Sequence, residues 1–507
     1  MADYNILTPD NLNDLIYSPF QMAIGEQEHL RLQKQFNNYA YYKGLQHRGA
    51  SDELIAASEV QRPAGLDYDP TRYTTNYFKS IIKRKARWQM AGAHSVNVVP
   101  KQIDDSAEAA AADYEPSAEQ LREYARAEKF EKLLNTLWIE NNMRTQLIQA
   151  ARDRLIAGRV AAKIAYNTRT GKLKWIFHPD TETFPIFSDD GFNDLLACHF
   201  VTEKADTEGN VVYRKQSFEL EGDQCYLSEG EYDEQLNLIR EITPRGSMGI
   251  NFIPVVLFPI TDLTGEPSVN YEVDDIRELT DRLNQLNEDA IDSLKFEMFG
   301  ITAVVNASPG TAAQMQIAPG AVVEITSAGE QQADLKRVEG SFRWKEAFNS
   351  QYERIKQALH EITSVPTVNT GELNFGGMNS YALHIVFHEI INETEEHWHA
   401  WRTGLKELHE KSIKYLQART SDGAFSYDKD ILATIGDDLA HDINFMLPLP
   451  DSRSELVELL TMEMAAGIES QAGALARAGV ENTAAKKAEI EAERAASLRN
   501  SDPYQDF

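Results

Sequence analysis

Over residues 274–294, apolar or small side chains stand at Ile276, Leu279, Leu283, Leu286, Ala290 and Leu294, a three-four alternation that lines one face of a helix. At about 100° per residue, Asp274, Glu278, Asp281, Gln285, Glu288 and Asp292 form a second stripe, about 160–170° from the first. The pattern predicts a helix of about 25 residues starting at position 271, roughly 35–40 Å long, that buries its apolar face and exposes its acidic one. An ordinary amphipathic surface helix has the same signature. After Gly300 the pattern becomes β-like (ITAVVNA), passes through SPG, and continues as TAAQMQIAPGAVVEIT and the polar SAGEQQADLKRVEG, which together read as a compact insertion. Helical spacing returns over 341–363 with Phe342, Trp344, Ala347, Phe348, Ile355, Leu359 and Ile362. Antiparallel packing of these two helices would put residues 301–340 at the tip of a stalk.

Elsewhere the chain alternates between the two periods. Residues 21–43 carry helix formers ending in Tyr39, Tyr41 and Tyr42 before Gly44. Residues 76–90 (NYFKSIIKRKARWQM) set Phe78, Ile81, Ile82 and Trp88 among Lys79, Lys83, Arg84, Lys85 and Arg87, the one dense basic cluster. It reads as a solvated face, or as salt-bridge partners for an acidic neighbouring subunit, ahead of direct contact with DNA. The acidic, alanine-rich stretch 102–118 reads as a surface loop or linker. Residues 119–157 read as a long helix or a helix pair that stops at Gly158. Over 160–258 the runs VAAKIAY, LKWIFHP, LLACHFVTE, VVYRKQSFEL and IPVVLFP are β-like and separated by turn signals. The expected fold is therefore α+β and predominantly helical.

Residues 365–380 (VPTVNTGELNFGGMNS) interrupt helix propagation with Pro366, Gly371, Gly376 and Gly377, and Asn379 or Ser380 can cap the next helix. This loop has no Lys or Arg, and its only charge is Glu372. Its polar groups are Thr367, Asn369, Thr370, Asn374 and Asn379, a set able to touch a polyanion without capturing it; a plain solvated connection has the same composition. A long helical stretch, 380–417, follows with histidines at 384, 388, 397, 399 and 409. His384 and His388 would share a face, but HEIIN lacks the second histidine of HExxH and Glu389 lies off that face. Surface or packing histidines are the default, and a metal-dependent enzyme built on His384, His388 and Glu395 is the rival. From Pro450 onward the chain is nearly all helix formers, with breaks at Gly467 and Gly479.

Composition narrows the function classes. At 507 residues, several sub-domains are expected, and no apolar run approaches the roughly 18–20 residues that span a bilayer. The opening MADYNILTPDNLNDLIY has no basic region followed by an apolar one, so synthesis and assembly inside a cell are expected. Cys198 and Cys225 lack CxxC spacing and read as buried or incidental thiols. Fifty basic against 79 acidic residues give −29, which opposes attraction to phosphate backbones and argues against a sequence-reading DNA binder. An acidic conduit is compatible with that charge, because a wall that repels phosphates keeps a moving duplex from sticking. No Gly-rich phosphate loop, nucleophile elbow or Cys/His arrangement is present, so no catalytic site, metal or cofactor is expected.

The order of these pieces resembles the portal proteins, or head-tail connectors, of tailed bacteriophages, particularly the long-tailed type. The resemblance runs over nearly the whole chain. It rests on NYFKSIIKRKARWQMAG, on ARDRLIAGRVAAKIAYN with LKWIFHPDTETFPIFSDD, and most specifically on INFIPVVLFPITDLTGEPSVNYEVDDIRELTDRLNQLNEDAIDSLKF. The restart Ser380-Tyr381-Ala382-Leu383 and the later ELVELLTMEMAAGIESQAGALARAG add to it. It implies a portal fold, assembled as a ring generally of twelve subunits. Residues 1–268 and 380–450 would be wing, 269–300 and 341–364 the two stem helices, 301–340 clip, 365–379 tunnel loop and 451–507 crown. The implied role is the channel for double-stranded DNA entering and leaving the capsid, without sequence specificity. The acidic stripe of Asp274, Glu278, Asp281, Glu288 and Asp292 would face the bore, and Thr367, Asn369, Thr370, Glu372, Asn374 and Phe375 would line the tunnel loop. Gln314, Gln316, Asp334 and Lys336 would meet clip partners. Those partners would be terminase, which supplies the hydrolysis, and a head-tail adaptor, alongside capsid and scaffolding proteins. The implied location is one capsid vertex of the virion, after assembly in the host cytoplasm. A helical scaffold or adaptor without a channel is the alternative.

Overall fold

Gly44, with φ of 80°, ends the first helix among the described residues as the sequence requires: α1 (Glu26–Lys43) stops at the residue best able to adopt a left-handed backbone. The computed structural model describes residues 26–45, 71–98, 117–190, 194–205, 209–233, 237–260, 273–298, 301–308, 332–338, 344–366, 384–436, 440–448 and 453–478, with single positions at 100, 192, 327, 329, 480, 486 and 490. Next come α2 (Tyr77–Met90), β1 (His94–Val98), α3 (Ala118–Glu140) and α4 (Met143–Ala157). A run of strands follows: β2 (Arg159–Asn167), β3 (Lys172–Pro179), β4 (Thr183–Phe187), β5 (Leu195–Ala205), β6 (Val211–Glu221), β7 (Gln224–Tyr232), β8 (Leu238–Ser247) and β9 (Val255–Pro259). Then come α5 (Asp274–Met298), β10 (Ile301–Val305), β11 (Asp334–Val338) and α6 (Lys345–Ile362). After these are α7 (His388–Ala418), α8 (Lys429–Thr434), β12 (His441–Phe445), α9 (Arg453–Ala465) and α10 (Gln471–Arg477). The chain divides into a smaller unit of residues 1–3, 44–78 and 274–363, and a larger one of 4–43, 79–273 and 364–507.

The larger unit is mixed helix and sheet. Its five-stranded antiparallel sheet runs in the order β4-β5-β6-β7-β8, so each strand pairs with its sequence neighbour. Both edge strands carry a proline, Pro185 in β4 and Pro244 in β8, where a missing N–H costs least. On one face of this sheet, Leu32 and Phe36 of α1 pack with Phe184, Val201 and Tyr213. A three-stranded sheet, β3-β2-β9, meets α4 and α7. Gly404 of α7 allows the close approach to β9, because a Cβ there would run into the Phe258 ring. Trp401 stacks within 4.9 Å of Phe258 and is fully buried, so its truncation to Ala would cost about 3–5 kcal/mol.

Local signals explain several helix ends. Ser117 and Gln120 form a capping box at the start of α3, with Ser117 N–H donating to Gln120 Oε1 at 2.8 Å. The expected long helix or helix pair over 119–157 is a pair, broken at Asn141–Asn142, where Asn142 takes φ of 50°. Gly158 closes α4 with φ of 81°. In α2 the buried positions include Phe78, Ile81, Ile82, Lys85 and Ala86, while Trp88 is half-buried beside Phe387 at 5.2 Å.

Two polar clusters sit inside the larger unit. Asp180 is fully buried and accepts from Arg31, from Arg159 Nε at 2.5 Å and from Gln35 Nε2 at 2.6 Å, which ties α1 to the turn before β4. His409 of α7 is fully buried; Trp138 Nε1 donates to its Nε2 at 2.7 Å, leaving its own proton on Nδ1, 3.0 Å from His441 Nε2. That chain joins α3, α7 and β12. Cys198 and Cys225 are buried free thiols, both pushed up to about 12 by burial. Among the described residues no helix is long and apolar enough to cross a membrane.

Candidate functional site

Both helices expected to pack together, 274–294 and 341–363, fall in the smaller unit. Helix α5 has 25 residues, roughly 37 Å at 1.5 Å per residue, and pairs with α6. Between them β10 and β11 form an antiparallel pair, with Ile301 opposite Val338 and Val305 opposite Asp334. The pairing returns the chain to the end of α5 that it left, and there Trp344 Nε1, just ahead of α6, donates to Glu297 Oε1 at 3.1 Å. From Trp344 into α6, Trp344, Phe348 and Tyr352 follow at i, i+4 and i+8; Trp344 meets Phe348 edge-on at 5.9 Å and Phe348 stacks on Tyr352 at 5.8 Å between centroids. Tyr77 and Tyr352 share a hydroxyl hydrogen bond of 2.9 Å; burial first, then this bond, pushes the Tyr77 phenol well up from its usual value.

The acidic stripe of α5 is divided, which corrects the expectation of a solvated face along its whole length. Asp274 is half-buried and sits 3.9 Å from Arg277, while Glu278 and Asp281 are exposed. Further along, Glu288 is half-buried and Asp292 is buried at 7% exposure, because residues 71–75 lie across them. Thr75 N–H donates to Asn284 Oδ1 at 2.8 Å, Tyr73 N–H to Glu288 Oε1 at 3.0 Å, and Thr71 N–H to Asp292 Oδ2 at 3.0 Å. An extended chain advances about 6.7 Å in two residues and a helix 6.0 Å in four, so alternate amides meet every fourth side chain as the two run in opposite directions. Thr71 Oγ1 also bonds Asp292, and Lys295 Nζ lies 3.2 Å from the same carboxylate. Burial alone would raise Asp292, but the Thr71 hydroxyl and amide and Lys295 outweigh it and hold the group below the usual carboxylate range.

The buried side of α5 shifts accordingly. Ile276, Thr280, Leu283, Asn284 and Asp292 are the buried positions among its described side chains, whereas Leu294, expected on the apolar face, is 41% exposed. Asn284, Glu288 and Asp292 form a row spaced by four in the sequence, but only the distant TRYTTN segment shows that the row accepts backbone hydrogen bonds.

Asp334 opens β11 and is exposed, and Lys336 stands opposite Ala303 in the same strand pair. Gln314 and Gln316, the six tunnel-loop positions Thr367, Asn369, Thr370, Glu372, Asn374 and Phe375, and nearly all of the acidic stretch 102–118 lie outside the described residues. His384, His388 and Glu395 are exposed, and the neighbours of His388 are Asn392 at 3.3 Å and Glu389 at 3.7 Å. Among the described residues no group of His, Cys, Asp and Glu is arranged to hold a metal ion. The basic cluster of α2 finds a partner within the chain: Lys85 is buried and pairs with Glu393 at 2.6 Å, while Arg84 and Arg87 are exposed.

The family model described as "Phage portal protein, SPP1 Gp6-like" matches residues 23–499. Among solved structures the chain is similar to one titled "Neck of native GTA particle computed with C12 symmetry", at 12% identity and a TM-score of 0.36, over 79% of this chain and 89% of that one. No curated protein matches the chain in sequence.

Proposed function

The chain belongs to the SPP1 Gp6-like phage portal protein family, and on that premise we propose that it is one subunit of a ring around double-stranded DNA at a capsid vertex, serving packaging and ejection. The observation that carries this reading is the span of the family match, 23–499, which takes in α5, the β10–β11 pair, α6 and residues 365–379. In this reading the unit of α5, α6 and the β10–β11 pair is the stem with its clip. Glu278 and Asp281, the exposed part of the stripe, face the bore, with the half-buried Asp274 one turn before them. Glu288 and Asp292 have another task, holding residues 71–75.

Duplex DNA presents one negative charge per about 1.7 Å of axis and binds proteins by exchanging condensed counterions for Lys and Arg. A wall of carboxylates offers no such exchange. Its field decays over a Debye length of about 8 Å at physiological salt, so it acts on DNA inside the bore and not at a distance. The duplex is centred and slides. Residues 365–379, bearing Thr367, Asn369, Thr370, Glu372, Asn374 and Phe375, would narrow the passage with a nearly neutral surface. Residues 301–340, with Gln314, Gln316, Asp334 and Lys336, would meet terminase and the head-tail adaptor, and 451–507 would form the crown. The driving hydrolysis belongs to the separate motor, so the subunit needs no cofactor.

The test is charge reversal at the open half of the stripe. Glu278→Lys with Asp281→Lys should slow or stall DNA packaging in vitro while rings of normal size still form. Wild-type packaging rates at low salt, where screening is weakest, would sink the repulsive-wall mechanism.

A further inference from the structure

A cleft of about 490 Å³ lies in the larger unit between β2–β3 and the face of β5–β7 turned away from α1. Its volume falls in the range of small-molecule sites, about 300–1,000 Å³. Charge sets it apart in a chain of −29: the lining holds Lys163, Lys204 and Arg214 against one carboxylate, Glu229. Arg214 is already neutralised by Glu229. The two lysines are not. Lys163 donates to Gln216 Oε1 at 2.7 Å, its one hydrogen-bond partner among the described residues, although an ammonium has three donors. Its Nζ lies 5.0 Å from the centroid of the buried Phe200 ring. Lys204 is exposed at the rim, with no ion pair among the described residues. The Tyr166 hydroxyl and His178 Nε2 are buried and find no hydrogen-bond partner among the described residues, a state that native structures rarely leave unexplained. Burial, opposed in part by Glu229, lowers Lys163 to about 8, so this ammonium is poorly solvated and gains from a second anion.

We propose that this cleft binds a small organic anion, a carboxylate or phosphate carried on a ring or short apolar chain, with the anionic head at Lys163 and Lys204 and the apolar body against Phe200 and Phe218. Tyr166 would donate to the head group, satisfying its hydroxyl. A duplex cannot enter a cleft of this size, and the proposal stands whether or not the ring surrounds DNA.

The test uses the purified full-length chain and 1-anilinonaphthalene-8-sulfonate, an aromatic anion whose emission rises in an apolar site. Expected is saturable binding of one probe per chain, weakened at least tenfold by Lys163→Met and by Lys204→Glu, and unchanged by Lys172→Met, whose ammonium is exposed and paired with Glu140 outside the cleft. Phenyl phosphate and phenylacetate serve as competitors, and the stronger one identifies the head group. Lys204 is exposed, so Lys204→Glu should melt at the wild-type temperature and remain interpretable even if Lys163→Met unfolds. Non-saturable probe binding, unaltered affinity in folded Lys204→Glu, or failure of both competitors to displace the probe would overturn the proposal.

Discussion

Replacing Asp292 by Asn keeps the shape of the side chain and removes its charge. The carboxylate accepts the Thr71 amide at 3.0 Å, the Thr71 hydroxyl, and Lys295 at 3.2 Å. An amide offers one acceptor oxygen, so one of these donors would face an NH₂ group. Hydrogen bonds to charged groups are worth about 1.5–3 kcal/mol each in net terms, and a buried donor left unmade adds its desolvation penalty. We take about 2 kcal/mol as the loss in local stability of residues 71–75, which corresponds to roughly thirty-fold more frequent opening. Hydrogen–deuterium exchange over a peptide containing 71–75 should rise by that factor, most at Thr71, with exchange in β5–β7 unchanged. Lowering the pH should imitate the substitution. Because Asp292 is held below its unfolded value, its contribution is complete above about pH 3.9 and disappears as pH falls toward the folded value. Equal exchange in wild type and Asp292→Asn would refute the row of acceptors as the element that holds this segment.

Asp180→Asn should remove the counter-charge of Arg31 and Arg159 and lower stability by about 3–5 kcal/mol, read as a shift in urea midpoint; a loss under about 1 kcal/mol would contradict its bridging role. Burial and the neighbouring His441 push His409 well below its usual value, and burial with Lys215 takes His199 down to about 3. The unfolded chain therefore gains these protons first, and stability should fall by about 1.4 kcal/mol per pH unit per histidine below about pH 6.5. Asp153, raised to about 6 by burial, opposes this trend below that pH. The loss between pH 7.5 and 5 should be about 2 kcal/mol smaller in His409→Gln, and an identical pH profile would refute the assignment. Deleting residues 371–377 should leave ring assembly intact but impair packaging or DNA retention; DNA-filled heads at wild-type yield would remove the loop from the mechanism.

Elements with strong periodicity were legible. The α5 pattern gave a helix starting at 271 against the observed Asp274–Met298, and 341–363 gave Lys345–Ile362. Strands β2, β3, β5, β6 and β9 came from apolar runs. β4, β7 and β8 did not, since Pro185, Pro244 and the polar QCYLSEGEY carry no strand signature until the sheet pairs them at or near its edge. Pairing of β1 with β12 joins segments more than 300 residues apart, which no local window contains. The same holds for the site. Acidity at Asp292 was visible, but its partner, Thr71, is 221 positions away and donates through both its amide and its hydroxyl. Lys163, Lys204 and Arg214 are scattered over three strands and become a cleft only when the sheets face one another.

A portal subunit of this kind should close into a ring with Glu278 and Asp281 of α5 turned inward. A cryo-electron microscopy map of the purified chain resolves that directly. Expected is a closed ring with a central bore wide enough for duplex DNA and with Glu278 and Asp281 on its wall. A closed ring with these carboxylates on its outer surface, or an assembly without a central hole, would contradict it.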